Sequence, residues 1–318
     1  MTKPAISIVI PLYNKVSTIQ HTISSVLSQT IQDFELIIVD GNSTDGSFEI
    51  VSGINDSRII LFKQKGKGVS TARNQGIERA SGDIIAFLDA DDMWKPDFLE
   101  TIIRLHTNYP DAGMYGTGAD HYIDNQCAYS RVWCVEMGDR ELSSYFRDFV
   151  EFGGAIIGTS RFASPKSILQ EVGMFNEELS IGEDHDLFSR IALYHKVAYS
   201  PCICSIYSMG AENNADTVNY CLEVPFEKYW NSISHENISP EKTQDITLYL
   251  DYWRINIGGR NIYSGFRKEG REQLSRVSSP FFKPKKYLIY IVSFIPLNLS
   301  KIPISKIRKI TKLLKITS

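Results

Sequence analysis

Three aspartates, Asp89, Asp91 and Asp92, fall within four residues directly behind the apolar run Ile84-Ile85-Ala86-Phe87-Leu88. Carboxylates this close repel one another unless a cation or hydrogen-bond donors neutralise them. A divalent ion that prefers oxygen, Mg2+ or Mn2+, would do so and could bridge to a diphosphate. The competing reading is structural, because acids favour the first turn of a helix and Pro96 follows. Asp92 suits that helix cap, whereas Asp89 and Asp91 read as ligands once their neighbours are counted.

Those neighbours come from other stretches. Asp40 closes the apolar run Glu35-Leu36-Ile37-Ile38-Val39 and reads equally as a turn aspartate before Gly41. Lys67, in Gly66-Lys67-Gly68, and Arg73, in the first turns of the next helix, supply positive charge suited to a phosphate or a base carbonyl. A lone Arg on a helix is more often solvated. Further along, Gly182-Glu183-Asp184-His185-Asp186 opens a helix, where acids commonly just complement the dipole. Transfer to a hydroxyl needs one carboxylate to take the proton, and a second acid pair far from the first is where that base is expected. His185 could be a ligand or a hydrogen-bond partner, and is read as merely exposed.

Elements that could place these residues alternate over the first 110 positions. Ile6 to Ile10, closed by Pro11, reads as a strand, and Ile19, Ile23, Val26 and Leu27 follow at helical spacing. A second strand ends at Asp40. Ser43 or Thr44 is expected to cap a helix through Ile50. Arg58 to Phe62 and Ile84 to Leu88 read as strands, and Ser70 to Ala80 as a helix. Strands apolar on both faces and alternating with helices predict an α/β fold with a mostly parallel sheet flanked by helices. Ligands bind such sheets beyond the carboxyl ends of the strands, where Tyr13-Asn14, Asp40 and Asp89 stand. Residues 111 to 215 are mixed, with a helix from Asp184 to Tyr194, and 216 to 275 read as helical and aromatic-rich.

Bulk properties narrow the classes. The 318 residues suffice for one large or two modest domains, with an ordinary globular composition. Ten of the 34 basic residues and none of the 37 acids lie after Glu272, so a formal −13 precedes a formal +10. The five cysteines (Cys127, Cys134, Cys202, Cys204 and Cys221) form no C-x-x-C pair, which fits a reducing cytoplasm. The first apolar run lacks the features of a signal peptide. Tyr287 to Ile295 is too short to span a membrane and is cut by Pro296. Ile304, Ile307, Ile310, Leu313 and Leu314 then recur at helical spacing among Lys306, Arg308, Lys309, Lys312 and Lys315. That is a basic amphipathic helix suited to an anionic membrane surface; the alternative is a helix folded back on the enzyme.

Five segments, in order, resemble family 2 glycosyltransferases of the GT-A fold: Ser7-Ile8-Val9-Ile10-Pro11-Leu12-Tyr13-Asn14, Ile38-Val39-Asp40-Gly41-Asn42-Ser43-Thr44-Asp45-Gly46, Gly68-Val69-Ser70-Thr71-Ala72-Arg73-Asn74-Gln75-Gly76, Gly82 to Asp92, and Gly182 to Leu187. The resemblance covers roughly the first 210 residues. It implies an inverting transfer of a sugar from a nucleoside-diphosphate sugar, expected to be a UDP-sugar, to a saccharide acceptor. It implies nucleotide contacts from Pro11, Tyr13, Asp40, Arg73 and Asp89, a metal (Mg2+ or Mn2+) on Asp91, Asp184 as general base and Glu183 shaping the acceptor site. Lys67 is assigned to the donor on its charge. Many relatives carry Tyr-Arg-x-His further on, where this chain reads Tyr207-Ser208-Met209-Gly210, so that loop brings no matching Arg or His.

The resulting expectation has four parts: residues 1–110 hold the donor, 111–215 the acceptor, 216–280 form a helical extension and 281–318 a membrane-associating tail. The protein is placed on the inner face of the cell membrane, in bacterial surface-polysaccharide synthesis on a lipid-linked acceptor, without nucleic acid. A dinucleotide oxidoreductase is opposed by Pro11-Leu12-Tyr13-Asn14 where G-x-G-x-x-G would stand. A nucleotidyltransferase lacks its basic triphosphate loop. A non-catalytic sugar-nucleotide binder is opposed by the intact set of Asp89, Asp91 and Asp184.

Overall fold

The computed structural model describes residues 3–123, 126–133, 136, 138–209 and 223–293. The chain divides into two compact units, residues 1–215 and 216–318. The basic amphipathic stretch at 304–315 and Gly210 lie outside the described residues.

The first unit is built on a ten-stranded sheet. Its amino-terminal half follows the period of the sequence. Strand β1 (Ile6–Leu12), helix α1 (Ile19–Leu27), β2 (Phe34–Asp40), α2 (Ser47–Ser52), β3 (Ile59–Lys63), α3 (Val69–Arg79) and β4 (Ile84–Phe87) alternate. Strands β3, β2, β1 and β4 lie side by side and parallel, in the register Leu12↔Asp40↔Lys63. Central β1 and β2 bury both faces, the condition that makes parallel strands read as unbroken apolar runs. Helix α1 covers one face with Ile19, Ile23 and Val26. Helix α3 comes so close that a Cβ on Gly76 would lie 2.3 Å from a Val9 methyl. Only glycine allows that approach.

The parallel order ends at β4. Next to it runs β9 (Phe162–Pro165), antiparallel, followed in the sheet by β6 (Ala112–Ile123) and β10 (Lys196–Met209). The two-residue β5 (Met93–Trp94) pairs antiparallel with β10; β7 (Gln126–Arg131) joins β6, and β8 (Arg140–Glu141) joins β10. Helices α4 (Phe98–Asn108), α5 (Tyr145–Glu151), α6 (Lys166–Glu171) and α7 (Glu183–Tyr194) complete the unit.

One expectation about α2 fails. Ser43 and Thr44 do not cap it. Gly46, in the left-handed region at φ 96°, precedes its first residue Ser47. The Ser43 hydroxyl instead accepts the Asn14 N–H at 3.0 Å, and the Thr44 N–H donates to Asn14 Oδ1 at 2.9 Å. A tie between two loops has taken the capping groups.

The second unit comprises α8 (Glu227–Ser232), α9 (Pro240–Tyr263), α10 (Arg267–Ser275) and α11 (Lys283–Val292). Helices α9 and α10 pack through facing glycines: a Cβ on Gly270 would lie 2.6 Å from the Gly258 carbonyl. The buried Asp251 carboxylate accepts from Arg254 and from the Ser278 and Ser279 N–H groups. No helix among the described residues is long and apolar enough to cross a membrane.

Candidate active site

Parallel strands in register deliver their carboxyl ends to one rim, and the loops beyond them hold the predicted residues. Near the carboxyl end of β1, Pro11 is half-buried; beyond the strand, Tyr13 is 57% exposed and Asn14 adopts φ 50°. At the end of β2, Asp40 is fully buried and its carboxylate accepts the Ser43 N–H, 3.3 Å from each oxygen. This is the turn role, since an Asp side chain that binds a nearby backbone N–H sets the following loop.

The acidic segment after β4 is anchored from below by α1. Thr18 and Thr22 donate to the Ala90 carbonyl at 2.8 and 3.0 Å, and Thr22 also to the Asp92 carbonyl at 2.8 Å. The three aspartates then go separate ways. Asp92 is no helix cap, because α4 begins six residues later behind Asp97. Asp92 points inward, accepts the Ser160 hydroxyl at 2.5 Å and the Ser208 N–H at 2.9 Å, and is 1% exposed. Burial, with Asp91 and Asp89 close by, pushes its carboxyl well above the usual carboxylate range. Asp91 pairs with Lys15 at 2.6 Å, its side chain 20% exposed. Asp89 pairs with Arg73 at 2.8 Å.

Arg73 is the hub. One guanidinium nitrogen donates to Asp89 and another to Glu183, each at 2.8 Å, while the guanidinium lies 5.1 Å over the Phe175 ring. Its side chain is 4% exposed. Burial works against its charge, but Asp89 and Glu183 outweigh it and raise its pKa above the usual value. Its Nε is buried without a hydrogen-bond partner. Arg73 thus joins the loop after β4 to the first turn of α7.

Helix α7 is brought there by the residue next to Arg73. Asn74, buried in α3, donates to the Phe175 carbonyl and to Glu177, each at 2.9 Å, and accepts the Phe175 N–H at 2.9 Å. Gly182, at φ 82°, then turns the chain into α7. Burial raises the Glu183 carboxyl against the pull of Arg73, and the charge of Asp184 adds to the rise. Asp184 is half-buried; its Oδ2 faces the Thr159 hydroxyl at 3.4 Å and its Oδ1 accepts the His185 N–H at 2.8 Å. His185 is half-buried, edge-on to Phe149 at 5.5 Å, and not merely exposed. Asp186 is a framework residue, paired with Arg190, which also donates to the Val172 and Met174 carbonyls.

A rim of this make-up can hold an anionic ligand between its cations and acids and can place a carboxylate beside it. The Glycosyl transferase family 2 model matches residues 7–164, which span β1 to β9 and every residue of the acidic segment. The chain belongs to glycosyl transferase family 2. It is 44% identical over 133 residues to the "Putative teichuronic acid biosynthesis glycosyltransferase TuaG" of Bacillus subtilis, covering 38% of this chain and 53% of that protein. It is 42% identical over 112 residues to "UDP-Glc:alpha-D-GlcNAc-diphosphoundecaprenol beta-1,3-glucosyltransferase WfgD" of Escherichia coli, covering 35% and 44%. The chain thus spans about half the length of these curated relatives. Among solved structures, S. aureus TarS in complex with UDP-GlcNAc superposes with a TM-score of 0.66 at 15% identity, over 91% of this chain and 89% of that one. The mannosyltransferase PcManGT of Pyrobaculum calidifontis, in complex with GDP-Man and Mn2+, superposes with a TM-score of 0.59 at 16% identity, over 92% and 86%. These likenesses establish the GT-A fold.

In this family 2 chain, Asp89, Arg73 and Glu183 meet directly, and Asp91 and Asp184 flank them in sequence. Lys67 does not join them. It is exposed in the loop between β3 and α3 and pairs with none of the site acids. Sequence reasoning missed Lys15, which follows the recognised Tyr13-Asn14 directly; a cation three positions past a strand end was the available signal. It also missed Asn74, Thr159, Ser160 and Ser208. No spacing rule points to them, because each acts across 25 or more positions.

Proposed function

We propose that the protein transfers a sugar from a nucleoside-diphosphate sugar to a saccharide hydroxyl with inversion. The observation that carries this reading is the Arg73 bridge, which draws Asp89 and the Glu183–Asp184 pair into one cluster at the carboxyl rim of a parallel sheet. Such a rim is where nucleotides bind in sheets of this kind. Tyr13, Pro11 and Asp40 flank the place for the base and ribose, and Asp89 faces the ribose. Arg73, held by Asp89 and Glu183, is assigned to the base or diphosphate, and Lys67, exposed in its loop, to the donor phosphates.

Asp184 is the general base. It lies beside Glu183, next to the donor cluster, and no cation is paired with it among the described residues. It takes the proton from the acceptor hydroxyl as that oxygen attacks the anomeric carbon. The bond to the nucleoside diphosphate breaks on the opposite face. Glu183, fixed by Arg73, shapes the acceptor side.

The donor atoms Asp91 offers are carboxylate oxygens, which fit a hard divalent cation, Mg2+ or Mn2+. Asp91 already holds the Lys15 ammonium, so the position accepts positive charge. When bound there, the ion would supply charge neutralisation of the departing diphosphate.

The named relatives suggest UDP-glucose as donor and a sugar on diphosphoundecaprenol as acceptor. The ten basic residues after Glu272 are suited to the surface of the membrane that carries such an acceptor. The expected setting is therefore peripheral, on the cytoplasmic face. Four functional regions are proposed: donor (1–110), acceptor (111–215), helical extension (216–280) and membrane-facing tail (281–318).

The test is a panel of UDP- and GDP-sugars with Mn2+ or Mg2+, with and without GlcNAc-diphosphoundecaprenol, read as released nucleoside diphosphate and as lipid-linked product. Acceptor-dependent release by the wild type, lost in Asp91→Ala and Asp184→Asn, supports the reading. Full activity in either variant refutes that residue's role. Comparing liposome partition of the whole chain with one ending at residue 280 tests the tail.

A further inference from the structure

Away from this rim, a second set of ligand-type side chains converges where α4 begins. Asp97, Cys202 and Cys204 place a carboxylate oxygen and two sulfurs within 4.8 Å of one another. Cys202 Sγ lies 3.3 Å from Asp97 Oδ2, and Cys204 Sγ lies 3.6 Å from the Thr101 hydroxyl. Ligands around a tetrahedral ion with metal–sulfur bonds near 2.3 Å and metal–oxygen bonds near 2.0 Å stand about 3.5–3.8 Å apart. Cys202 and Asp97 stand close to that spacing already, and Cys204 lies within 4.8 Å of both.

Two features of the backbone account for the convergence. The register of β10 against β6 shifts between Ser200 and Ile203 and again between Ile203 and Ser205. Bulges of this kind re-aim side chains, and both cysteines lie within the irregular stretch. Asp97 is the N-cap residue of α4, yet its carboxylate makes no hydrogen bond to the helix it precedes. It is turned toward Cys202 instead. Cys202 and Asp97 are half-buried and Cys204 is buried, which leaves an approach for an ion from the Cys202 side.

We propose that Asp97, Cys202 and Cys204 form a site for a thiophilic divalent cation of the Zn2+ class, with solvent as its fourth ligand. The chemistry separates it from the rim. Two sulfurs select a borderline-soft ion, whereas the carboxylate of Asp91 selects a hard one. Burial pushes both thiols above their usual range, so binding at neutral pH displaces their protons. An ion here would pin the bulged stretch of β10 to the start of α4, next to the pairing of β10 with β5.

The probe is Co2+ added to the metal-free full chain, because cobalt bound to thiolate absorbs by charge transfer in the near ultraviolet and cobalt bound to oxygen alone does not. The expected result is a band that saturates at one ion per chain, with release of about two protons. Cys202→Ser, Cys204→Ser and Asp97→Asn should each weaken Co2+ binding tenfold or more, and Zn2+ should displace the cobalt. Asp91→Asn should leave the band unchanged, which separates this site from the transferase reading. Circular dichroism checks that each variant is folded; if Cys204→Ser is not, the half-buried positions 202 and 97 decide. No band in the wild type, or a band of undiminished strength in a folded Cys202→Ser, overturns the site.

Discussion

Replacing Arg73 by methionine tests the hub directly. The substitution keeps a long side chain over Phe175 but removes both 2.8 Å bonds, leaving Asp89 and Glu183 without their shared cation. Breaking a buried ion pair from one side costs about 3–5 kcal/mol. The Asp89 side chain is 30% exposed and regains water, whereas that of Glu183 is 12% exposed and does not. The lower end, about 3 kcal/mol, is therefore expected. At about 2–4 °C per kcal/mol for a domain of this size, Tm falls by roughly 6–12 °C at neutral pH. With Arg73 gone, burial and Asp184 act on Glu183 unopposed, and its folded pKa rises further above the unfolded value. Stability from such a group is fully present below the unfolded carboxylate pKa and is lost as pH rises through the folded one. The gap between variant and wild type should therefore narrow on acidification. Thermal melts from pH 7.5 to 4.5 (approximate limits spanning the carboxylate range) in chelator provide the assay. Arg73→Lys, which keeps the charge but not the fork, should fall between the two. A methionine variant that melts with the wild type at neutral pH, or a gap that widens in acid, refutes the argument.

Four further outcomes follow from the same geometry. Asp92→Asn removes a carboxyl held above its usual range; urea midpoints should show the variant gaining on the wild type as pH rises above the unfolded carboxylate value, and a constant difference across pH would contradict it. Asp184→Asn should lower acceptor-dependent turnover by about 10²–10⁴-fold while calorimetric binding of nucleoside diphosphate stays unchanged, and equal loss of both would move Asp184 from base to binding residue. Lys15→Met frees Asp91 of its 2.6 Å partner and should tighten Mn2+ binding to the donor-free protein by less than about tenfold, since a partly exposed pair is worth about 1 kcal/mol; weaker binding would argue against metal at Asp91. Gly76→Ala drives a methyl into Val9 and should cost about 1–3 kcal/mol by chemical denaturation, with no loss if α3 can shift away from β1.

What the sequence made legible was the part governed by period. Strands buried on both faces announce themselves as apolar runs, so β1, β2 and β4, and the aspartates that close β2 and follow β4, are readable from the sequence alone. The family segments carried Arg73 and Glu183 as well, although nothing in their spacing of 110 residues said that they touch. The illegible part depends on distant partners. Asp92 looked like a cap because its nearest sequence context is a helix start, while its actual donors are Ser160 and Ser208, 68 and 116 positions away. Ser43 and Thr44 have cap chemistry but are claimed by Asn14, which turns on a positive φ that sequence periodicity does not display. Strands β6 to β10 mix parallel and antiparallel pairings and carry bulges, so their alternation is blurred.

The hydrogen bond from Ser208 to Asp92 has a consequence for how the protein comes into being. The acidic segment is made early, yet it is clasped from a strand finished more than a hundred residues later. The short β5 behind it pairs with nothing but that same strand among the described residues. Closing so long a loop is slow, and a nascent chain emerges from its amino end. Strands β1 to β4 can assemble as soon as they leave the ribosome, but their charged edge stays unclasped until β10 arrives. During synthesis the rim passes through a stage in which its acids are gathered without their final restraint. A ribosome-stalled chain ending within β10 should therefore already protect the parallel strands from proteolysis, while leaving the segment around Asp92 open to cleavage.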